Sequence, residues 1–411
     1  MSVELNWHEG DEQSGVAWEA PADPLPAAAH PSQEIVRGAA ASTEPSRLQL
    51  LLLGAAIGVV VGLLVLGALL LWRSNQGSQL VRRDVTAVSE HLLAAQAAGD
   101  VLRYAELLDG TDQVWKARLV AGLRGANAAP VDEWTVEQVR LQGDMAEAEV
   151  AVSGDDGGTL RRLVYFRLVD DLWRLTPPTP ASFGDEQQTT TQHFRILYRA
   201  RDQRFVPGLV NLAEGAYVTL CGELLCSADS RPLELRLLYD AQADDPATTA
   251  GVVAVASPSL AGWQANNQPG ELFSQRLTSQ IAAQMALASV PSASPAFLAA
   301  VGDWAAAELA GGPAATDDLT AETRVPLYRA WDGAVQGDND NPQAQSSLAS
   351  VLDFVQDTWG SDAVGLLLKH ASGSLDDMAR QAFQVDGRTF ETMWLAWLAE
   401  KQAPLPGTSS G

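Results

Sequence analysis

Metal-ligating and basic side chains are scarce in this sequence, and each scarcity excludes a class of function. Only two cysteines occur, Cys221 and Cys226, and only five histidines. Past residue 80 the histidines are His91, His193 and His370, no two of them one helical turn apart. Zinc sites draw on three or four clustered Cys, His or carboxylate ligands, and the pair of histidines in an HExxH helix is absent. Two thiols five residues apart are open to three readings: a disulfide, half of a metal site, or two unrelated buried side chains. With no second pair and no neighbouring histidine, the metal reading is the poorest. Of the 27 basic residues only Lys116, Lys369 and Lys401 are lysines, which points to coding bias rather than chemistry. Against them stand 51 acidic residues and a net charge of −24. Nucleic acid is excluded as a partner, because its phosphates require a basic face. No glycine-rich phosphate loop occurs either, and no cofactor is expected.

What the chain does have is one long apolar run. Residues 50–71 are Leu, Val, Ala, Ile and Gly only. At about 1.5 Å per residue such a helix measures roughly 33 Å, enough to cross a hydrocarbon core of about 30 Å. A single transmembrane helix over 48–72 is therefore expected, with the membrane as a partner. Arg37 and Arg47 flank one end and Arg73, Arg82 and Arg83 the other, so charge does not set the orientation. Long domains translocate largely regardless of charge, and the expected placement is N-terminus cytoplasmic and C-terminal part extracytoplasmic. Gly54, Gly58 and Gly62 recur every four residues, a pattern suited to a dimer face. Ahead of the run, residues 1–46 carry eight acidic side chains against Arg37 alone, with Trp7 and Trp18 among them. That tail, like 403–411, is expected to be disordered.

Two folded regions are expected after the run. Over 80–178 helical periodicity comes first, through Val81, Val85, Val88 and Leu92, and alternation follows. Ala146, Ala148, Val150 and Val152 face one way, with Glu147 and Glu149 opposite. Strands over 160–169 and 172–175 meet at Asp170-Asp171, a hairpin turn. A polar stretch, 182–192, reads as a linker. Beyond it lie strands over 194–198, 233–239 and 251–256 and a helix over 209–225. From residue 271 the pattern is helical, over 271–288, 294–310, 345–371, 374–385 and 389–401. Strands followed by a helical half make an α+β plan.

Three helices before a curled antiparallel sheet ending in FRLVDDLWRLTP resemble the NTF2-like (SnoaL-like) cone. The stretch 190–402 resembles the peptidase MA-like family of gluzincin metallopeptidases. Its motifs read here as LTSQIAAQM (277–285), PAFLAAVG (295–302), QSSLASVLDFVQDTWG (345–360) and FETMWLAWL (390–398). The framework matches in order, but the chemistry does not. The resemblance puts Ser279 and Ala283 where the two zinc histidines stand, Gln280 at the general base, and Ala300 (Val301 with a one-residue slip) at the third ligand. A carboxamide cannot take a proton from metal-bound water, and a methyl group cannot bind zinc. Asp303 and Glu308 are the nearest substitute carboxylates, and both read as solvated or capping.

Other constellations are bland. Ser372-Gly373-Ser374 beside His370 reads as a helix stop and an N-cap, with Asp376 and Asp377 in the first turn. The stretch 337–341 (GDNDN) lacks the glycine and distant Glu of a calcium loop. The expectation is a membrane-anchored pseudopeptidase with no catalytic, cofactor-binding or metal residues, acting by protein or peptide binding at the edge strand 251–256. The alternatives are an active hydrolase with ligands placed elsewhere, and a signalling regulator of the anti-sigma type working through the acidic tail.

Overall fold

A computed structural model describes residues 47–124, 134–153, 158–225, 232–239, 249–312, 319, 324–336 and 342–402. The two tails, with Trp7 and Trp18, lie outside these residues, as do Cys226 and the 337–341 stretch. The chain divides into two compact units, Met1–Ala68 and Leu69–Gly411. α1 (Arg47–Ala97) contains the apolar run but does not end with it, continuing through Arg82, Arg83, Asp84 and Glu90. Among the described residues no helix is long and apolar enough to cross a membrane. The expected single transmembrane helix is therefore corrected: the described fold is one of mixed helix and strand without a spanning segment.

In the second unit, two short helices follow α1. Asp100 caps α2 (Val101–Glu106), its carboxylate accepting from the Arg103 N–H at 3.1 Å, and α3 (Gln113–Arg124) comes next. Then β1 (Trp134–Gln142), β2 (Met145–Ser153), β3 (Thr159–Val169) and β4 (Leu172–Thr176) form an antiparallel meander in chain order. The β3–β4 turn puts Asp170 and Asp171 at φ 51° and 61°, which a tight two-residue hairpin requires and Asp tolerates. Ala146, Ala148, Val150 and Val152 face Val85, Leu92, Tyr104 and Trp173 in a first core.

A second sheet begins where a linker was expected. After α4 (Pro180–Phe183), β5 (Glu186–Thr190) pairs antiparallel with β6 (Phe194–Arg199). Its EQQTT side chains show no apolar alternation because β5 is an edge strand held by backbone pairing. A 3₁₀ turn (Ala200–Phe205) leads into α5 (Val206–Glu223), and β7 (Leu233–Leu238) and β8 (Val252–Ala256) then add in parallel, giving the order β5-β6-β7-β8. One face of this sheet, through Ile196, Leu235, Leu237, Val253 and Val255, joins a large helical core. That core is built from α7 (Glu271–Ser289) onward, after the single turn of α6 (Pro258–Ala261). It continues through α8 (Pro295–Ala310), α9 (Leu327–Gln336), α10 (Pro342–Trp359), α11 (Asp362–His370), α12 (Leu375–Phe383) and α13 (Gly387–Lys401). The helix expected over 345–371 is two helices, broken at Gly360, whose φ of 95° no helix accommodates.

The two sheets meet across the other face of β2 and β3. Leu163 and Tyr165 pack there with Phe183, Phe205 and Trp263. Arg161 and Trp263 exchange two backbone hydrogen bonds of 2.8 Å each. The 3₁₀ turn sends its side chains both ways. Arg201 forms an ion pair with Glu147, which is only 6% exposed. The adjacent Asp202 accepts from the Ser257 and Ser259 hydroxyls, each at 2.7 Å. Burial pushes the Asp202 carboxyl up despite those two bonds. Arg204 lies over the Trp263 ring at 4.6 Å.

Removing one partner of a buried ion pair leaves the other charge uncompensated, at a cost of about 3–5 kcal/mol. Arg201→Met is thus expected to lower unfolding stability by an amount in that range, and Glu147→Gln added to it to restore a large part. Urea unfolding of the two variants checks this, and equal losses in both would show that the pair does not join the sheets.

Candidate functional site

The expected vestigial site lies on the α7–α8 hairpin. α7 starts at Gly270 with Glu271 in its first turn, where a negative charge suits the helix N-terminus. Ser294 caps α8 by accepting from the Phe297 N–H at 3.2 Å, Pro295 occupies its first position, and Gly311 ends it in the left-handed region. α7 is buried on every side over Ile281, Ala282, Ala283, Gln284, Met285 and Ala286, whereas Ser279 and Gln280 just before that stretch are half-buried and both ends of the helix are open to solvent.

Ser279 and Ala283, one turn apart, share a face of α7. The α8 residue against that face is Gly302. A Cβ there would collide with Ser279 Oγ and come 2.9 Å from the Ser279 carbonyl oxygen. At about 100° per residue, Ala300 lies about 200° round α8 from Gly302 and Val301 about 100°. The fold therefore brings Ser279, Gln280 and Ala283 together but turns Ala300 away, and Val301 is the nearer of the two third-ligand positions. Ala300 and Val301 are both fully buried among apolar neighbours.

Two carboxamides mark the same helix. Gln284, 2% exposed, accepts from the Gly251 N–H at 2.7 Å, which fixes the orientation of its amide and leaves Nε2 buried without a partner. One turn earlier, Gln280 Oε1 is likewise buried and unpartnered. Gln284 was not singled out from the sequence. Its signal is a lone polar residue inside the apolar stretch IAAQMALA.

Gly251 immediately precedes β8, the last strand of the second sheet. Gly251 O accepts from the Glu234 N–H at 2.8 Å, and the Ser257 N–H donates to Leu238 O at 2.7 Å, so odd-numbered residues of this strand bond toward β7. By the alternation of a strand, the N–H and C=O of Ala254 and Ala256 point outward. α7 thus packs against β8, whose even-numbered backbone groups face away from β7, while the two unpartnered carboxamide atoms of α7 are buried.

The other singled-out residues lie apart. His91, on α1, meets Arg103 at 3.3 Å, and His370 ends α11. His193 stacks on Tyr217, with ring centroids 4.3 Å apart, and its Nδ1 is 2.6 Å from Glu214 Oε2. Burial alone would raise Glu214, but hydrogen bonds from Thr191 and His193 outweigh it and hold the carboxyl below its usual range. Asp303 accepts from Gln345 at 2.6 Å and is pushed up by burial. Glu308, five residues on, faces another way and raises Glu223, whose own burial is the larger cause. Ser374 caps α12, accepting from the Asp377 N–H at 3.2 Å. Cys221, in the last turn of α5, is disulfide-bonded, and Leu225 at φ 54° turns the chain out of the helix. Among the described residues no three His, Cys, Asp or Glu side chains are grouped so as to hold a metal ion.

Gly302→Ala should destabilise the protein by about 1–3 kcal/mol through overpacking. Adding Ser279→Ala should recover only part, since the Ser279 carbonyl still crowds the new methyl. Thermal unfolding of both variants tests the contact. Glu214 carries the opposite kind of signature. A carboxyl lowered on folding from its ordinary 4.5 adds stability that is full above that value and fades as pH falls through its lowered pKa. Glu214→Gln should flatten that acid limb in a pH series of unfolding midpoints, and an unchanged limb would assign it to other carboxylates.

No family model matches this chain and no curated protein matches it, so the peptidase-like reading rests on the residues and the geometry alone.

Proposed function

We propose that the region from β5 to α13 is a catalytically inert, peptidase-like module that holds an extended segment of a partner protein against β8. The observation that carries this reading is the outward backbone edge of β8, the last strand of its sheet, with α7 packed against it. A peptide unit has one donor and one acceptor, the complement of the outward N–H and C=O groups along that edge. Strand addition supplies affinity through main-chain hydrogen bonds, which a hydrolytic centre is not needed to form. The residues standing at the zinc-helix positions, Ser279, Gln280 and Ala283, offer neither an imidazole nor a carboxylate. The disulfide at Cys221 favours an oxidising, extracytoplasmic compartment for this module.

Ala254→Pro provides the test. The substitution deletes an N–H that points away from β7, a position where an edge strand tolerates proline. The variant should keep its unfolding midpoint and lose capture of displayed extended peptides that the parent protein selects. Metal analysis of the purified protein should find no stoichiometric zinc, and peptide substrates should remain intact. Capture unaffected by Ala254→Pro would remove β8 as the binding edge. Tightly bound zinc together with peptide cleavage would overturn the inert reading altogether.

A further inference from the structure

Between the β1–β2 turn, β3 and α4 lies a cavity of about 200 Å³. It opens on the face of β2 and β3 that is turned away from the first core, so it is not enclosed by α1–α3. Two side chains in its wall are more than nine-tenths buried and incompletely bonded. Glu147 gives Oε1 to Arg201, while Oε2 is shielded from solvent and accepts from nothing. The Tyr165 hydroxyl, 2% exposed as a residue, lies beside Ser182 without a hydrogen bond of good geometry. Burial, more than any neighbouring charge, raises the Tyr165 pKa far above its ordinary range, so it stays neutral at any working pH. Ser182, also in the wall, uses its proton on Thr179 O at 2.6 Å and so presents only lone pairs inward. Asp144 stands at the rim, 71% exposed, with Arg167 no nearer than 3.9 Å.

This wall presents the acceptor oxygens of Asp144, Glu147 and Ser182, its donors are the neutral groups of Gln142, Tyr165 and Thr179, and no Lys, Arg or His lines it. An anion would meet two carboxylates and no cation. A neutral apolar group would leave Glu147 Oε2 buried and unsatisfied, at a cost of about 1–3 kcal/mol or more for a charged acceptor. A group with several N–H donors and a positive charge satisfies the site. A volume of about 200 Å³ corresponds to six or seven waters at about 30 Å³ each, or a ligand of similar heavy-atom count. We propose that this cavity binds a small aliphatic primary amine, its ammonium group donating to Glu147 Oε2, Tyr165 Oη and Ser182 Oγ, with Asp144 drawing cations to the mouth. Because Glu147 also holds Arg201, occupancy of the cavity would reinforce the joint between the two sheets.

The test uses the full chain with n-butylamine as probe and 1-butanol as its neutral counterpart, followed by NMR titration at neutral pH. Saturable one-to-one binding of the amine is expected, with 1-butanol at least about tenfold weaker, the weight of one charge-assisted hydrogen bond. Tyr165→Phe removes a hydroxyl that makes no hydrogen bond of good geometry in the free protein, so it should leave the unfolding midpoint unchanged and weaken the amine several-fold. Ala181→Trp, at a lining position exposed to solvent, should block entry without touching Glu147. Equal binding of amine and alcohol, an affinity indifferent to both variants, or crystals soaked in amine that show only water on Glu147 and Tyr165 would each overturn the proposal. None of these outcomes bears on the β8 edge, which lies in the other sheet.

Discussion

The buried pair of Glu147 and Arg201 is the constraint on which the joining of the two sheets depends. Glu147 belongs to a strand whose alternate residues are committed to the first core, so its carboxylate must project from the opposite face. A second body docked there has to bring a cation, and the 3₁₀ turn after β6 brings it two residues after that strand ends. The same turn then sets Asp202 on two serine hydroxyls at the start of α6 and Arg204 on Trp263. Six residues therefore dictate where β8 stops, where α6 begins and how the meander is seated. The cavity at Tyr165 is a by-product of this seating: the ion pair consumes one oxygen of Glu147 and strands the other.

The α7–α8 hairpin and β8 depend on a different constraint, close approach. Gly302 lets α8 lie close against Ser279, and Gln284 ties α7 to the residue just before the edge strand. These two contacts fix a helix, its neighbour and a strand edge relative to one another. Along α7 the side chains at Ser279, Gln280 and Ala283 are a hydroxyl, an amide and a methyl group.

Local signals in the chain were legible. Ser294, Pro295 and Gly311 bracket α8, Asp386 and Ser374 cap the last two helices, and Asp170-Asp171 turns β3 into β4. The alternation of 146–152 was read correctly as a core face. What escaped were features whose cause lies far away in sequence. β5 has no apolar pattern, because its stability comes from the strand beside it. Gly360 interrupts an otherwise continuous periodicity that α10 and α11 both obey. Glu147 looked like one of two similar acidic residues, and only Arg201, 54 positions later, makes it a buried one. The apolar run of 50–71 was the strongest local signal, yet local hydropathy alone did not establish a spanning segment in the described fold. Within the candidate site, Ser279, Gln280 and Ala283 were found from their order, whereas Gln284 and Gly302 needed the neighbouring elements to give them meaning.

The joint has a consequence for the order in which the chain is made. β4 ends at Thr176, so the first sheet is complete in sequence well before its covering residue Trp263. At about 5–20 residues per second the interval is roughly 4 to 17 seconds. During that time Leu163 and Tyr165 present an apolar face and Glu147 an unpaired charge to the surroundings of the nascent chain. The acidic side chain that later anchors the second sheet is also what keeps this waiting surface from being purely greasy. A ribosome-bound intermediate ending between Thr176 and Trp263 would thus be the stage at which the protein most needs protection from self-association.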